Sequence, residues 1–192
     1  MIAHNAAGVF HGQVTDPATR TVVVDIARAG MVPAQVCFDA LNHVLDPACV
    51  RQDHLVMNRV TDDAGKVTGA RIFADKTGGE VGGQVVIFPD PMGATGSSLC
   101  QAISHYTEEA GGTPAAVITM NLIVTSEFIQ KLVGTHPDTA LYALRLDRGL
   151  SDPDVLASVP GTYPDREVGL DAQHYIVPGA GGLGEVINNV FV

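Results

Sequence analysis

Apolar and β-branched residues fall into five short, dense runs, with polar stretches of helical spacing between them. TVVVDIA (Thr21–Ala27) predicts a buried strand. A turn, RAGMVPA, follows, and Val32, Val36, Leu41 and Leu45 then recur at helical intervals. HLVMNRV (54–60) predicts a second strand, QVVIF (84–88) a third, AAVITMNLIV (115–124) a fourth and TALYALRL (139–146) a fifth. SSLCQAISHYTEEAG predicts a helix that stops at Gly111 and Gly112, and SEFIQKLVGTHPD another with Ser126 as its N-cap. Strands alternating with helices of this length predict an α/β fold with a largely parallel sheet.

The rhythm breaks in three places. Residues 62–83 are polar and carry six glycines around a short apolar piece, ARIFA. That pattern predicts a mobile hairpin or flap. Residues 151–171 hold three prolines and many acids, which predicts a long loop or inserted excursion. The end, HYIVPGAGGLGEVINNVFV, predicts a short strand, a glycine-rich turn and an apolar tail. The 192 residues suffice for one core, so a single domain over 1–192 is expected.

Charge narrows the partners. A net charge of −10 argues against general nucleic-acid binding, which relies on Lys and Arg. It leaves room for a small phosphorylated ligand, which needs only local positive potential. The run AAVITMNLIV is too short to span a bilayer and contains Asn121, so no membrane partner is expected. The start, MIAHNAAGVFHG, lacks a basic region and a long apolar core, so no secretory signal is expected. Cys37, Cys49 and Cys100 are odd in number and widely spaced, which points to reduced thiols in a cytoplasm.

The chemistry concentrates in VVIFPDPMGATGSSL (85–99). A buried strand runs into a proline and an acid, then into residues almost too small to pack anything. In a parallel α/β sheet, ligands sit beyond the carboxyl ends of the strands. Small residues let the backbone approach a ligand, and successive N–H groups can converge on a phosphate at the start of the next helix. Thr95, Ser97 and Ser98 add hydroxyl donors. Asp90 would repel a phosphate and suits sugar hydroxyls or a metal-bound water. The composition fits two arrangements: a cradle for a sugar phosphate, or an ordinary strand–helix turn with an N-cap serine. The loop is neither a Walker loop nor a nucleophile elbow.

FPDPMGATGSS closely resembles the 5-phosphoribosyl-1-pyrophosphate (PRPP) loop of uracil phosphoribosyltransferases, D-P-M-x-A-T-G-x-S. VVVDIARAGM is similar to that family's strand followed by L-R-A-G, ALYALRLDRGL to its strand ending D-x-G-L, and HYIVPGAGGLG to its Y-I-V-P-G-L-G-D-A-G-D. The resemblance runs from about Thr21 to Glu185. It implies a parallel-sheet type I phosphoribosyltransferase fold, a flexible flap at 62–83 and a C-terminal base hood at 174–192. It implies a reaction in which a ring nitrogen of uracil or a related base displaces pyrophosphate from PRPP and gives UMP.

The resemblance also implies roles. Asp90, Pro91, Met92, Gly93, Ala94, Thr95, Gly96, Ser97 and Ser98 would bind PRPP. The loop 92–98 would hold the 5-phosphate and Asp90 the ribose hydroxyls. Arg28 would meet the pyrophosphate, with Arg59 a second such arginine at the foot of the flap and Lys76 a flap residue. Asp90, Arg28 and Arg59 would form the catalytic set. Backbone groups of Tyr175, Ile176, Val177, Pro178, Gly179, Ala180 and Gly181 would read the base, with His174 beside them. Mg²⁺ would be bound mainly through PRPP, with no metal site built by the protein.

The chain departs from the pattern in three ways. The first acid of the hood motif is replaced by Gly182, while Glu185 stands for the second. That leaves open a regulatory or inactive homologue that keeps the PRPP site. The first matched strand begins near residue 21, so the surface under the family's N-terminal helical region is bare, shorter or covered by another chain. A homodimer or a partner chain is expected. Residues 151–171 are extra and could reshape the base pocket or make a subunit contact. Gly179, Gly181 and Gly184 also satisfy G-x-G-x-x-G, but only eight residues follow, too few for a dinucleotide fold. None of the seven histidines has metal-ligand spacing.

Overall fold

The structure is a computed structural model, and it describes residues 2–5, 8–61 and 67–189. Residues Ile2–Asn5 (β1) and Gly8–His11 (β2) pair as an antiparallel hairpin apart from the main sheet. The main sheet holds Thr21–Ala27 (β3), Val50–Thr61 (β4), Val67–Lys76 (β5), Val85–Pro89 (β6), Met92–Gly93 (β7), Ala116–Thr125 (β8) and Ala140–Asp147 (β9). Its order is β5-β4-β3-β6-β8, with β7 and β9 also on β8. All pairings are parallel except β4 with β5. The expected α/β class and largely parallel sheet are found.

Helix α1 (Met31–Leu41) crosses from β3 to β4. It ends at Leu41, short of the expected Leu45, and Leu45 instead closes a turn onto the Leu41 carbonyl and is buried. Helix α2 (Ser97–Ser104) continues as a π-helical turn over His105–Glu109 and stops at Gly111 and Gly112, both at positive φ. Helix α3 (Ser126–Thr135) is capped by the Thr125 side chain, which accepts from Phe128 N–H; the expected cap, Ser126, is the first helical residue. Val22, Val24, Phe88, Leu99, Ile103, Tyr106 and Phe128 fill the core between the sheet and α2–α3. Phe88 and Tyr106 meet edge to face at 5.6 Å, worth about 1 kcal/mol beyond their buried area.

The predicted flap divides in two. Residues 67–76 form β5, which extends the sheet beside a β4 longer than expected. Residues 77–83 are tied to the base of that hairpin. Buried Asp53 accepts from the Tyr106 hydroxyl at 2.9 Å, from Arg51 Nε at 3.1 Å and from Gly78 N–H at 3.0 Å. Arg51 then donates to the Gly79 and Glu80 carbonyls. The tip, 62–66, lies outside the described residues.

The excursion 151–171 is an ordered cap that carries α4 (Pro153–Leu156). Arg148 and Glu167 form an ion pair at 3.0 Å with side chains 8% and 0% exposed. Arg148 also donates to the Val155 and Ser158 carbonyls. Glu167 accepts from the Ser126 hydroxyl and Gly161 N–H.

The C-terminal segment differs from its reading. The expected strand is a single bridge, Leu170 with Ile176, and the expected apolar tail begins as α5 (Leu183–Asn188). On β8 and β9, Met120 pairs with Tyr142, and Leu122 and Leu144 stand beside them, all exposed. Among the described residues, no helix is long and apolar enough to cross a membrane.

Candidate functional site

The sheet creates the loop by an interruption. β8 pairs with β6 as far as Met120 and with β7 from Ile123 onward. Between them Asp90 and Pro91 step out of line. Asn121 Nδ2 donates to the Asp90 carbonyl, and Leu122 and Ile123 N–H groups both reach the Pro91 carbonyl at 3.0 Å. These bonds fix the backbone at Asp90, and so place its carboxyl at the strand end. Burial pushes it up to about 6, against the Met92 N–H that pulls it down.

After β7 the backbone turns back toward α2. The Thr125 hydroxyl holds the Ala94 carbonyl at 2.7 Å. Gly96 has φ +77°, which an L side chain rarely adopts. A Cβ on Gly93 would lie 2.9 Å from the Phe128 ring and from Val124 Cγ1, so only glycine fits. Ser97 N–H points to Thr95 Oγ1 at 3.3 Å, whereas the N–H groups of Thr95, Gly96 and Ser98 have no acceptor among the described residues. Unpaired amides at a helix start form an anion cradle.

Arg28 follows β3 in a tight turn in which Gly30 N–H returns to the Ile26 carbonyl; the Ala27–Arg28 peptide is cis. A Cβ on Gly30 would lie 2.8 Å from Ile26 N. Arg28 Nη2 lies 3.1 Å from Glu185 Oε1 at the start of α5. A Cβ on Gly182 would collide with Glu185 Oε2. The Glu185 carboxylate thus occupies the space in which a side chain at 182 would begin.

The hood is held from β9. Asp147 Oδ2 accepts from Gly179 N–H at 2.8 Å, and Arg145 grips Asp147 with two nitrogens while reaching the Gly179 carbonyl at 3.2 Å. Gly149 N–H donates to the Val177 carbonyl, and Val177 N–H to the Gly169 carbonyl, each at 2.8 Å. Gly179 needs its φ of +62° for the turn. Ile176 is buried, Tyr175 is exposed, and Val177–Pro178 is cis.

These parts meet in one cleft of about 830 Å³. Arg28, Asp90, Met92, Ser98, His174 and Gly181 all line it. The rest of the cradle adjoins it, where Gly93 to Ser97 meet Asp90 and His174 again. Arg59 sits on β4 opposite Ala70, beside the cleft-lining Met57 and Asn58. Its side chain, like the hood's last residues 190–192, lies outside what the structure describes. Lys76 pairs with His54, five residues back along β4 and about 17 Å from Arg59, and does not line the cleft. Lys131 was not expected from sequence: its Nζ donates to Ser97 Oγ at 2.9 Å. Asn121, which anchors Asp90, was also missed; a lone asparagine in an apolar strand was the available signal.

The sequence model of the uracil phosphoribosyltransferase family matches residues 2–167. A uracil phosphoribosyltransferase of Thermoanaerobacter sp. (strain X514) is 34% identical over 84 residues, 44% of this chain and 39% of that protein. Another, from Caldanaerobacter subterraneus subsp. tengcongensis, is 28% identical over 147 residues, 77% of this chain and 64% of that protein. The chain therefore spans from about two fifths to under two thirds of these relatives' length. The solved AQ2163 protein from Aquifex aeolicus aligns with a TM-score of 0.67 at 19% identity, over 100% of this chain and 76% of that one, which is a shared fold.

Proposed function

The chain belongs to the uracil phosphoribosyltransferase family, and we propose that it transfers the 5-phosphoribosyl group of PRPP to uracil or a related base, giving UMP and pyrophosphate. One observation carries the reading. A loop of unpaired amides, with a lone carboxylate at its entrance, faces Arg28 and the hood across a single cleft.

In this reading the amides of Thr95, Gly96 and Ser98 take the 5-phosphate. Asp90 accepts hydrogen bonds from the ribose hydroxyls. A ring nitrogen of the base forms a bond to the anomeric carbon as the bond from that carbon to the pyrophosphate oxygen breaks. Pyrophosphate leaves with the electron pair, and the ring nitrogen's proton passes to water. The negative charge that grows on the leaving group faces Arg28. Backbone groups of 175–181 read the base edge, because the Asp147–Gly179 and Gly149–Val177 bonds fix that backbone.

Mg²⁺ is part of the proposal. Among the described residues, no group of three His, Cys, Asp or Glu side chains gathers to hold a metal; of the two carboxylates that line the cleft, Glu185 is paired with Arg28 and Asp90 stands at the cradle. That donor set fits an ion held mainly by PRPP. When bound, it neutralises charge on the pyrophosphate. A cytoplasmic setting fits the three free cysteines. The exposed Met120, Leu122, Tyr142 and Leu144 support a second copy or a partner chain over that face of the sheet.

Gly182 favours a second reading, a regulatory homologue that binds PRPP without transfer. A turnover assay with PRPP, Mg²⁺ and a panel of bases separates the two. The leading reading expects pyrophosphate release that depends on a pyrimidine and is lost in Asp90→Asn. PRPP binding with no turnover on any base, alone or with a partner chain, supports the second.

A further inference from the structure

We propose that Lys131 is a binding residue for the phosphate monoester, acting through the Ser97 hydroxyl and as the cradle's own positive charge. This rests on the reading that the loop 92–98 takes the 5-phosphate of PRPP.

The N-cap of α3, Thr125, and two residues of the helix itself meet the loop in succession. Thr125 grips the Ala94 carbonyl, Phe128 packs where a Cβ on Gly93 would sit, and Lys131 Nζ reaches Ser97 Oγ. Lys131 Cβ also lies 3.6 Å from the place of a Cβ on Gly96. The helix and its cap therefore hold the loop at Gly93, Ala94 and Ser97, and Lys131 brings a cation to the last of these.

Hydrogen-bond direction gives the lysine its role. Ser97 Oγ accepts from Lys131 Nζ at 2.9 Å and from Thr95 Oγ1 at 3.3 Å. With its acceptor sites engaged, the Ser97 hydroxyl is left to donate, and Ser97 lines the cradle. Among the described residues, Lys131 is the one cationic side chain hydrogen-bonded to the loop. Arg28 is engaged with Glu185 across the cleft. In a chain of net charge −10, with Asp90 at the cradle's mouth, a phosphate carrying close to two negative charges needs such a counter-charge.

Calorimetry with ribose 5-phosphate, ribose and pyrophosphate tests this on the full chain. Loss of one charge-assisted contact predicts that Lys131→Gln binds ribose 5-phosphate roughly tenfold more weakly. Affinity for pyrophosphate is expected to stay unchanged. In turnover, KM for PRPP rises by a similar factor with kcat held within about twofold. Lys131→Arg restores most of the affinity, which a merely structural role would not require. Lys131 is exposed, so the variants keep the wild-type melting temperature. Equal ribose 5-phosphate affinity in wild type and Lys131→Gln overturns the assignment and leaves the PRPP reading standing. A wild-type chain that binds neither PRPP nor ribose 5-phosphate overturns both.

Discussion

Arg28 Nη2 and Glu185 Oε1 stand 3.1 Å apart and join the turn after β3 to the first turn of α5 across the mouth of the cleft. The side chains are 40% and 42% exposed, so the pair is solvated and weak. In the proposed reaction, pyrophosphate must take Arg28 from Glu185. The carboxylate that fills the space above Gly182 is therefore also the group that competes with the leaving group.

Glu185→Gln is expected to tighten pyrophosphate binding by about threefold, the scale of an exposed ion pair. Arg28→Ala weakens it by at least roughly tenfold, the scale of a charge-assisted contact. The double variant behaves like Arg28→Ala alone. Competitive inhibition constants for pyrophosphate across the four proteins check this.

Asp90 predicts a pH dependence. Its carboxyl titrates at about 6 in the folded chain against 3.8 ordinarily. The folded state holds this proton more tightly, so stability from this group is present at low pH and is lost as pH rises through 6. Asp90→Asn should melt higher than wild type at pH 7.5, with most of the difference gone by pH 4 and the rest lost below the ordinary value of 3.8. Activity runs the other way: ribose contacts need the carboxylate, so kcat/KM falls with one proton below about pH 6. Thermal melts and a pH–rate profile give the two curves.

Gly93 and Phe128 predict a packing couple. Gly93→Ala forces a methyl to within 2.9 Å of the Phe128 ring and should cost about 1–3 kcal/mol of stability. Adding Phe128→Leu removes the ring contact but leaves Val124 Cγ1 at 2.9 Å, so the double variant loses less than the sum of the two single variants. Urea denaturation of the single and double variants measures the coupling.

Much of this was legible in the sequence because period and punctuation are local. β3 spans the residues its apolar run marks, and Gly111 and Gly112 end the helix at positive φ as glycines do. The loop 90–98 stood out because its residues resemble the PRPP loop motif; its composition alone fits an ordinary strand–helix turn as well. What escaped depends on crossovers. Lys131 reaches Ser97, 34 residues earlier, only because α2 and α3 lie side by side on one face of the sheet. Arg148 and Glu167, 19 residues apart, are buried together only because the excursion between them folds back on itself. The hairpin expected around ARIFA is found as β4 with β5, but the ten-residue length of β5 was hidden by the glycines and charges that surround that apolar piece, a local preference that pairing with β4 overrides.

The buried Arg148–Glu167 pair makes a prediction for the excursion. Glu167→Ala leaves Arg148 buried without its carboxylate and should cost about 3–5 kcal/mol. Arg148→Met with Glu167→Leu, which removes both charges, should recover most of that. Chemical denaturation measures the stability. Limited proteolysis should cut 151–171 in the single variant and spare it in the double.

The central claim is that the amides between Met92 and Ser98 receive a phosphate monoester. Amide-resolved NMR during a titration with ribose 5-phosphate tests it most directly. The account predicts the largest, saturable shifts at Thr95, Gly96, Ser97 and Ser98, with Arg28 and the hood little changed. Saturating ligand that leaves those four amides unmoved, or that shifts another part of the chain instead, would contradict it.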